Sequence, residues 1–542
     1  MDLTLSDLPT LLINLNSVGV ALSAEKDHDR LLEIILMRAK DMTHADGGTL
    51  YLRTEENTLK FEIVHTDSLG ICMGGAEGEP ITFYPIKLVN DGEPNMHNVA
   101  ACAVLKNETI NIPDAYTDEE FDFTGTRQFD KKTGYRSKSF LTVPMTNHES
   151  EIIGVLQLIN AKDSKTGEIR TFSALDQQVV ESLASQAAVT LTNRQLIEAQ
   201  KNLFDSFIEL IASAIDEKSP YTAGHCRRVP VLTDMIAEAC CDIDHGPHKD
   251  FSMTDEDKYE LRVAGWLHDC GKITIPEAVV DKATKLETII DRIEMIDTRF
   301  EVLKRDAEIA ALKNKLKALG EKDFSADEQL SSELKQLDDD REFIRMCNVG
   351  GEAMADELQQ RVGKIAQYKW ENTEGNESNF LTENEVYNLN IFRGTLTAEE
   401  REVINNHIVA TIKMLGSLPY PKHLLNVTEF AGGHHEKMDG TGYPNGLKRD
   451  EMSIQARMMG IADIFEALTA GDRPYKKAMA LSQALTILGN MKLENHIDPD
   501  LFDVFMWKRV YQRYADEYLT EEQCDDYDLN DIPGYVPPPP PE

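Results

Sequence analysis

The sequence is poor in the features that mark membrane, secreted and disulfide-stabilised proteins. No uninterrupted apolar run reaches the roughly 18 residues that a membrane-spanning helix needs, and the opening residues carry acids where a secretory signal would be basic. The eight cysteines are scattered and form no CxxC pair, which favours reduced thiols over a disulfide framework. We therefore expect a cytoplasmic protein with no membrane partner.

Positive charge is also scarce. The chain has 56 Lys and Arg against 94 Asp and Glu, a formal net charge of −38 at pH 7. This charge repels nucleic-acid polymers and anionic lipid surfaces at long range, which excludes both as bulk partners. A small phosphate ester can still bind where metal ions and a few local Lys and Arg reverse the potential in one cleft.

The chain has 542 residues, enough for three or four domains of about 150 residues each. Two helical patterns over 8–44 are followed by a strand, turn and strand over 48–64. Apolar strands are predicted at 139–144 and 153–160. Together these elements predict an α+β domain over 8–173, with an antiparallel sheet flanked by helices.

A long connecting helix is predicted over 174–216. From residue 172 to residue 219 the sequence contains no Gly or Pro, and apolar residues recur at alternating steps of three and four. Two interpretations stay open: a coiled-coil-like helix that transmits a signal, and an ordinary helix that packs on its own domain.

Two further segments stand out by their patterns. Heptad-like runs that change phase predict a largely helical insertion over 287–395, including an antiparallel hairpin. The final segment, 516–542, carries an acidic run and then V-P-P-P-P-P-E. That composition predicts a solvated tail with polyproline character.

Histidines and aspartates in short motifs, several beside glycines, are the candidates for chemistry. Five imidazoles and two carboxylates exceed what one tetrahedral zinc needs, and the absence of thiolates argues against a soft structural site. Two hard or borderline ions fit better, because a carboxylate beside a histidine ligand can bridge them, and such a pair supports in-line attack on phosphorus. The set is His225, His268, Asp269, His407, His434, His435 and Asp463.

The motifs H-D-C-G-K at 268–272 and H-H-E-K-M-D-G-T-G-Y-P-N-G-L at 434–447 resemble the HD-GYP phosphodiesterase family. The resemblance spans 203–515 and is interrupted by the insertion. It implies an all-α catalytic domain of the HD type that hydrolyses cyclic di-GMP to pGpG and then GMP. It also implies a pair of divalent ions, with iron as the expected metal and manganese as another candidate.

The resemblance implies a role for each ligand when it is carried over residue by residue. Asp269 would bridge the two ions, and Lys272 would approach the scissile phosphate, where it can stabilise charge or protonate the leaving oxygen. One ion would be held by His225, His268, Asp269 and Asp463, and the other by Asp269, His407, His434 and His435.

A substrate side of the site follows from the same resemblance. Arg473 and Lys476 match family positions that contact the dinucleotide, and they would supply local positive charge to an acidic chain. The loop that would shape the pocket edge consists of Gly440, Gly442, Tyr443 and Pro444.

Two departures from the family pattern affect these expectations. Tyr221 stands where one branch of the family has a glutamate that binds a third metal, and a neutral phenol rarely binds a divalent ion, so we expect two ions per chain. The insertion lengthens the stretch before His407, and it could cover the site, support dimerisation or only decorate the domain.

The α+β domain resembles a GAF domain, which is a small-ligand sensor fold. Asn160, Lys162, Phe172 and Asp176 match the signature of cyclic-nucleotide GAF domains. One extra residue separates the Asn from the Lys, and a Gln replaces the final Glu. Binding of a cyclic nucleotide and a ligand-free role in dimerisation both stay open.

We therefore expect a cyclic di-GMP phosphodiesterase that is controlled by a GAF sensor and acts as a homodimer in bacterial second-messenger signalling. Two alternatives remain. One is a phosphodiesterase for another cyclic dinucleotide, such as cyclic GMP-AMP, and the other is an HD-GYP module that binds partners without catalysis. Turnover of the two dinucleotides and the metal content separate these hypotheses.

Overall fold

The computed structural model describes most of the chain and divides it into two compact units, Met1–Leu203 and Phe204–Glu542. Three residues singled out above, Tyr221, Arg473 and Lys476, lie outside the described residues. The described residues are 8–25, 27–90, 92–163, 165–218, 224–317, 325–351, 353–371, 374–471 and 478–539.

The N-terminal unit is built on an eight-stranded antiparallel sheet with the strand order β3-β2-β1-β9-β8-β7, to which β4 and β10 add at β2 and β9. The alternation of apolar residues seen in the sequence forms its central strands, so the predicted α+β architecture is confirmed. The elements are α1 Leu8–Ala24, α2 His28–Thr43, β1 Ala45–Arg53, β2 Thr58–Thr66, β3 Ile71–Gly74, β4 Ile86–Lys87, β5 Val89–Asn90, β6 Glu93–Pro94, α3 Val99–Lys106, β7 Ile110–Ile112, α4 Thr124–Thr133, β8 Phe140–Thr146, β9 Ile152–Lys162, β10 Ile169–Arg170 and α5 Ala174–Lys218.

Helices cover both faces of this sheet. Leu32 and Leu36 of α2 and Leu183 of α5 are buried with the apolar side chains of one face. On the other face Ala101 of α3 packs in a cluster with Tyr51. Burying apolar side chains against a sheet contributes about 25 cal/mol for each Å² removed from water, so this packing is the main source of the unit's stability.

The long helix α5 is confirmed, and the boundary between the two units falls within it. Its 45 residues have no interior Gly or Pro to interrupt the backbone hydrogen bonds. Among the described residues, no helix combines the length and apolar character that crossing a bilayer requires.

The C-terminal unit is predominantly helical, as predicted. Its main core contains buried residues of most of its helices outside the insertion, for example Leu232, Leu267 and Phe465. The elements are α6 His225–Cys241, α7 Asp255–Leu267, α8 Glu277–Val280, α9 Ile293–Lys317, α10 Ser325–Asn348, α11 Asp356–Ala366, β11 Lys369–Glu371, β12 Glu377–Asn379, α12 Glu383–Leu389, α13 Ala398–Leu415, α14 Val427–Gly432, α15 Ile454–Thr469, α16 Leu481–Leu493, α17 Pro499–Trp507 and α18 Val510–Tyr518.

The insertion forms a small helical subdomain around its own core, which includes Phe300, Ile344 and Phe380. Helices α9 and α10 pack antiparallel, because the ion pairs Lys304–Asp338 at 2.9 Å and Arg345–Asp297 at 2.8 Å run in opposite chain directions. The predicted hairpin is therefore confirmed, with a short β11–β12 hairpin that the sequence did not indicate.

A buried lysine joins the base of the insertion to the helix that carries a site histidine. The Lys282 Nζ donates to Asn388 Oδ1 at 3.0 Å and to Glu400 Oε2 at 2.7 Å. Glu400 also completes the capping box of α13 with Thr397. The insertion thereby helps to fix where α13 begins.

The expectation of a solvated C-terminal tail is wrong for residues 519–536. Gln523 is buried and its Nε2 donates to the Thr469 carbonyl at 2.8 Å, while Ile532 is 5% exposed in the main core. The Val536 carbonyl accepts a hydrogen bond from Trp507 Nε1 at 2.7 Å. The few apolar residues between the acids find complementary surface on the helices, a contact that composition does not report.

Candidate metal centre

Seven side chains from separate elements converge inside the C-terminal unit. His225 is the first residue of α6, His407 lies within α13, and Asp463 lies within α15. The His268–Asp269 pair follows the last residue of α7, and His434–His435 follow α14. All seven residues that the sequence singled out are therefore brought together.

The first group of ligand atoms is formed by His225, His268 and Asp463 around Asp269. His225 Nε2 lies 3.2 Å from Asp463 Oδ1 and 3.3 Å from Asp269 Oδ2. His268 Nε2 lies 3.3 Å from the same Asp269 Oδ2 and 3.7 Å from Asp463 Oδ1. Two imidazoles and two carboxylates thus enclose one position.

The second group lies on the other side of Asp269. His407 Nε2 is 3.3 Å from Asp269 Oδ1 and 3.2 Å from His435 Nε2. His407, His434 and His435 offer ligand atoms that all lie within 4.8 Å of one another. Each oxygen of Asp269 therefore faces a different group of histidines, which is the geometry of a bridging carboxylate.

The hydrogen bonds of the histidines fit metal ions in this cluster. The Nδ1 atoms of His268, His407 and His434 donate to backbone carbonyl oxygens at 2.7, 2.6 and 2.6 Å, which leaves each Nε2 with a lone pair. His434 Nε2 is buried and has no hydrogen-bond partner among the described residues. Facing lone pairs in a buried site need a cation between them, so the donor set suits divalent ions.

The pKa values divide the histidines in two groups. Burial lowers the pKa of His268, but the Asp269 charge outweighs it and raises the pKa to about 9. Burial lowers the pKa of His435 to about 4, and burial together with the His435 imidazole lowers that of His434 well below its ordinary value. The carboxylates that attract a proton to His268 would equally attract a divalent cation.

Lys272 lies beside the bridging carboxylate. Its Nζ donates to Asp269 Oδ2 at 2.6 Å, and its side chain is 21% exposed. Burial lowers the pKa of Lys272, yet the Asp269 charge raises it by more, so the ammonium is protonated at neutral pH. A close backbone approach fixes this turn, because a Cβ on Gly271 would lie 1.9 Å from the His407 carbonyl oxygen.

The loop after His435 forms a wall of the site. The Tyr443 ring stacks on the His435 imidazole with centroids 4.8 Å apart and an interplanar angle of 20°. A Cβ on Gly442 would lie 2.4 Å from the Lys437 backbone nitrogen, and Gly440 has φ +84°. Of the predicted substrate-side residues, this loop lies at the metal cluster and the remaining two lie outside the described residues.

Sequence reasoning missed the carboxylates that support the ligands. Glu466 is 1% exposed; its Oε2 contacts His225 Nδ1 and its Oε1 accepts from Arg228 Nε at 2.6 Å. Glu436, directly after the His pair, accepts from the backbone nitrogens of Asn445 and Leu447 at 2.7 and 2.9 Å. The signal for Glu466 was its position three residues after Asp463 in α15, which places both on one helix face.

The signature residues of the N-terminal unit are engaged within the fold. Asn160 Oδ1 accepts from the backbone nitrogens of Lys138 and Ser139 at 2.7 and 3.2 Å. Lys162 pairs with the buried carboxylate of Asp46. Asp176 pairs with Arg170, and Phe172 is buried in the core. These contacts hold strands and turns together and leave no signature side chain aimed at a ligand.

The chain thus combines an N-terminal α+β unit with a C-terminal helical unit that gathers histidines and aspartates from separate elements. The GAF domain family matches residues 27–191 and the HD domain family matches residues 383–501. The chain therefore contains a GAF domain and an HD domain, and the resemblance recognised in the sequence is confirmed for both. The HD match includes His407, His434, His435 and Asp463, while the other three ligands precede it.

Three curated relatives show what the chain is similar to. It is 26% identical over 339 residues to 3'3'-cGAMP-specific phosphodiesterase 3 of Vibrio cholerae, covering 62% of this chain and 46% of the relative. It is 37% identical over 139 residues to a probable cyclic di-GMP phosphodiesterase of the same organism, covering 23% of this chain and 30% of the relative. It is 34% identical over 113 residues to a cyclic di-GMP phosphodiesterase of Pseudomonas aeruginosa, covering 21% and 26%. The match thus spans less than half of the length of each relative.

Proposed function

We propose that the chain is a metal-dependent phosphodiesterase that hydrolyses a cyclic dinucleotide, with cyclic di-GMP as the substrate. The observation that carries the proposal is the placement of Asp269, whose two carboxylate oxygens each lie 3.3 Å from a histidine nitrogen of a different group. Two divalent ions, with iron as the first candidate and manganese as the second, would polarise the phosphodiester and the attacking water when bound.

Residues of the site would stabilise charge and transfer protons during hydrolysis. In hydrolysis a water oxygen bonds to phosphorus, the P–O3′ bond breaks, and the 3′ oxygen gains a proton. Lys272 can stabilise the charge on that oxygen or supply the proton, because its ammonium lies in the site beside Asp269. The proton released by the water then restores the ammonium. The remaining P–O3′ bond of the linear product would be cut in the same way to give the mononucleotide.

Cyclic GMP-AMP is a second candidate substrate. The relative that matches over 339 residues carries a name specific for 3'3'-cGAMP, whereas the two cyclic di-GMP relatives match over 139 and 113 residues. Metal ions and Lys272 would act on the phosphate in either dinucleotide, so the metal cluster itself does not distinguish the bases.

Turnover by anaerobically purified protein tests the proposal. We expect metal ions at a stoichiometry near two per chain and conversion of cyclic di-GMP to pGpG and GMP, with 3'3'-cGAMP turned over more slowly. Faster turnover of 3'3'-cGAMP than of cyclic di-GMP would show that 3'3'-cGAMP is the preferred substrate. A protein that is loaded with metal and hydrolyses neither dinucleotide would be a binding module, which would refute the proposed activity.

We also propose that the protein is a homodimer joined along α5. Leu196, Leu203 and Leu210 are spaced by seven residues and are 57%, 57% and 63% exposed. A seven-residue apolar repeat on a long helix is the pattern that a coiled coil buries. Sedimentation should show a dimer for the wild type and a monomer for Leu203→Glu/Leu210→Glu; a wild-type monomer at micromolar concentration would contradict the proposal.

The GAF domain would be the sensor that controls the HD domain, with a small cyclic nucleotide as its candidate ligand. The support is the family match over 27–191. Titration of cyclic GMP and cyclic AMP against the thermal unfolding of the chain tests this, because a ligand raises the stability of the state that binds it. If neither nucleotide shifts the unfolding temperature, the result would favour a ligand-free role of the GAF domain in dimerisation.

A further inference from the structure

A groove beside the candidate metal ligands carries two charged side chains that belong to neither of the two histidine motifs. It has a volume of about 390 Å³ and is lined by α13 residues Ala398, Arg401, Glu402, Asn405 and Asn406 and by Tyr443. Tyr443 is the residue whose ring stacks on His435. The groove therefore opens directly next to the second group of metal ligands.

The two charged side chains of this groove are available to a ligand. Arg401 and Glu402 are exposed, and Arg401 donates to the Arg393 carbonyl oxygen at 3.3 Å. Among the described residues, neither side chain forms an ion pair. An arginine and a glutamate that line the same groove offer it N–H donors and carboxylate acceptors.

That arrangement matches the polar edge of guanine. Guanine presents O6 and N7 as acceptors and the N1–H and N2–H groups as donors, so an arginine can bind O6 and N7 while a carboxylate accepts from N1 and N2. Adenine presents an amino group where the arginine needs an acceptor and a lone pair at N1 where the carboxylate needs a donor. The Tyr443 ring and the apolar side chains of Val409 and Pro444, which also line the groove, can contact the face of the base.

We infer that this groove binds a guanine base of the substrate, with Arg401 at O6 and N7 and Glu402 at N1 and N2. The inference rests on the proposed phosphodiesterase function and narrows its substrates. Cyclic di-GMP and 3'3'-cGAMP both contain a guanine that can enter the groove, whereas cyclic di-AMP contains none.

The test compares three dinucleotides on four proteins: the wild type, Arg401→Met, Glu402→Gln and the control Lys413→Met. Lys413 is an exposed cation on the same helix outside the groove. We expect kcat/KM for cyclic di-GMP and 3'3'-cGAMP to fall about 5- to 150-fold in each groove variant. Cyclic di-AMP should change less than threefold, and the control should match the wild type. Binding to the same variants in a Lys272→Ala background gives a readout without turnover.

Each result has a definite meaning. Equal losses for all three dinucleotides in Arg401→Met, with no change in Glu402→Gln, would show a general attraction for phosphate and would overturn the guanine assignment. Unchanged selectivity in both variants would overturn it as well. If the wild type itself hydrolyses none of the three dinucleotides, the proposed function fails instead, so the two failures are distinguishable.

A second inference comes from the last turn of α5, where two side chains hold the segments that carry catalytic groups. Asp216 is buried, and its Oδ2 and Oδ1 accept from the backbone nitrogens of Gly224 and Cys226 at 3.0 and 3.3 Å. These nitrogens flank His225 at the start of α6. The carboxylate therefore fixes the helix end that presents the first metal ligand.

Lys218 holds the turn that carries Lys272. Its Nζ donates to the carbonyl oxygens of Lys272, Ile273 and Ile275 at 3.0, 2.6 and 2.6 Å. These contacts use all three N–H donors of the ammonium. A rotation or shift at the end of α5 would therefore move the backbone from which the Lys272 side chain extends.

We propose that Lys218 is a positioning residue, which acts on the reaction through Lys272, and that Asp216 does the same through His225. The proposal rests on the proposed function. Through these two residues a movement of α5 would change the positions of His225 and Lys272, because the end of the helix is hydrogen-bonded to the segments that carry them.

A double-mutant cycle tests the route through Lys272. We expect Lys218→Met to lower kcat by about 100-fold with KM and metal content unchanged, because a displacement of about 1 Å of a catalytic group has an effect of that size. Lys218→Arg should recover part of the loss. In a Lys272→Ala background, Lys218→Met should have almost no further effect, since two residues that act as one unit are not additive.

Glu217→Gln is the matched control, because Glu217 is an exposed α5 residue between the two positioning residues. It should leave kcat unchanged. Additive losses in the double variant would show that Lys218 does not act through Lys272. Metal loss in Lys218→Met would show a general structural role, and either result would overturn the assignment.

Discussion

The GAF and HD domains both carry a sequence signature of polar residues, but the two signatures do opposite things. In the GAF domain the signature groups satisfy each other and the backbone: Asn160 bonds two backbone nitrogens, and Asp176 bonds Arg170. In the HD domain His407 and His434 bond the backbone through Nδ1, and the Nε2 atoms of His407 and His435 face each other at 3.2 Å.

This difference shows how to distinguish a structural motif from a ligand site. A polar group that is fully paired within the protein stabilises the fold and has nothing left to offer a ligand. A buried lone pair such as that of His434 Nε2, which has no partner in the part of the chain that the structure describes, is costly unless something else occupies the site. Variants in the two signatures should therefore separate stability from metal content.

The largest effect is expected for Asp269→Ala. Loss of this carboxylate should lower turnover by about 1,000-fold or more and reduce the metal content, because the proposed pair of ions would contribute several kcal/mol to transition-state stabilisation. Circular dichroism should show an intact helical fold. The control Asp450→Ala removes an exposed carboxylate of the same unit and should change neither quantity. Wild-type metal content in Asp269→Ala would refute the bridging role.

A smaller effect is expected for Glu466→Gln, which keeps the shape of the side chain that supports His225. Removing the charge should weaken metal affinity by about 10- to 100-fold, since such supporting groups orient the ligand and raise its basicity. Excess metal should restore activity, as measured by titration of the metal-free protein. The exposed Glu238, which pairs with Arg513, provides Glu238→Gln as a control. Lost activity that no metal concentration restores would contradict this role.

Asn160→Ala should lower the stability of the GAF domain and leave the metal content unchanged. It removes the bonds to the backbone of Lys138 and Ser139 and places an alanine at φ +58°, which together should destabilise the GAF domain by about 2–4 kcal/mol. Calorimetry should show a lower GAF transition. Asn160→Gly, which tolerates this φ, isolates the hydrogen-bond part of the loss. A fall in metal content would break the contrast between the two domains.

The smallest effect is expected for the contribution of Asp176 to the stability of the GAF domain, which should depend on pH. Burial raises the pKa of this carboxyl, but hydrogen bonds from Arg170 and Ser173 lower it by more, so the net shift is downward. Its stabilising contribution is therefore present above the ordinary pKa near 3.9 and is lost as pH falls through the lower folded value. The gap in GAF melting temperature between the wild type and Asp176→Asn should narrow below pH 4. A constant gap would contradict this.

Much of this architecture could be predicted from the sequence alone. Apolar alternation gave β1, β2, β8 and β9, and the absence of Gly and Pro gave α5, because period and backbone freedom are local properties. Four of the seven candidate ligands and Lys272 lie in the two motifs, and the family resemblance added His225, His407 and Asp463. Each motif also places neighbouring ligands on one short segment, which reduces the number of segments that the fold must bring together.

Other features were decided by contacts between segments far apart in the chain. Glu466 supports His225 across 241 residues, and Lys218 reaches a turn more than 50 residues away. Arg401 and Glu402 resemble any charged pair on an exposed helix face until Tyr443 is placed opposite them. The acidic tail was predicted to be solvated because composition is local, but Ile532 is buried against the HD domain.

The sequence by itself determined which residue types could bind metal, which segments are helix or strand, and that an α+β unit precedes a helical one. The tertiary structure decided which oxygen of Asp269 faces which histidines, which Nε2 atoms face one another, and which charges line the groove. The physical reason is the sequence distance over which each effect acts. Propensity and periodicity depend on a few neighbouring residues. Ligand geometry and burial depend on packing between distant segments, which only the folded chain brings within a few ångströms.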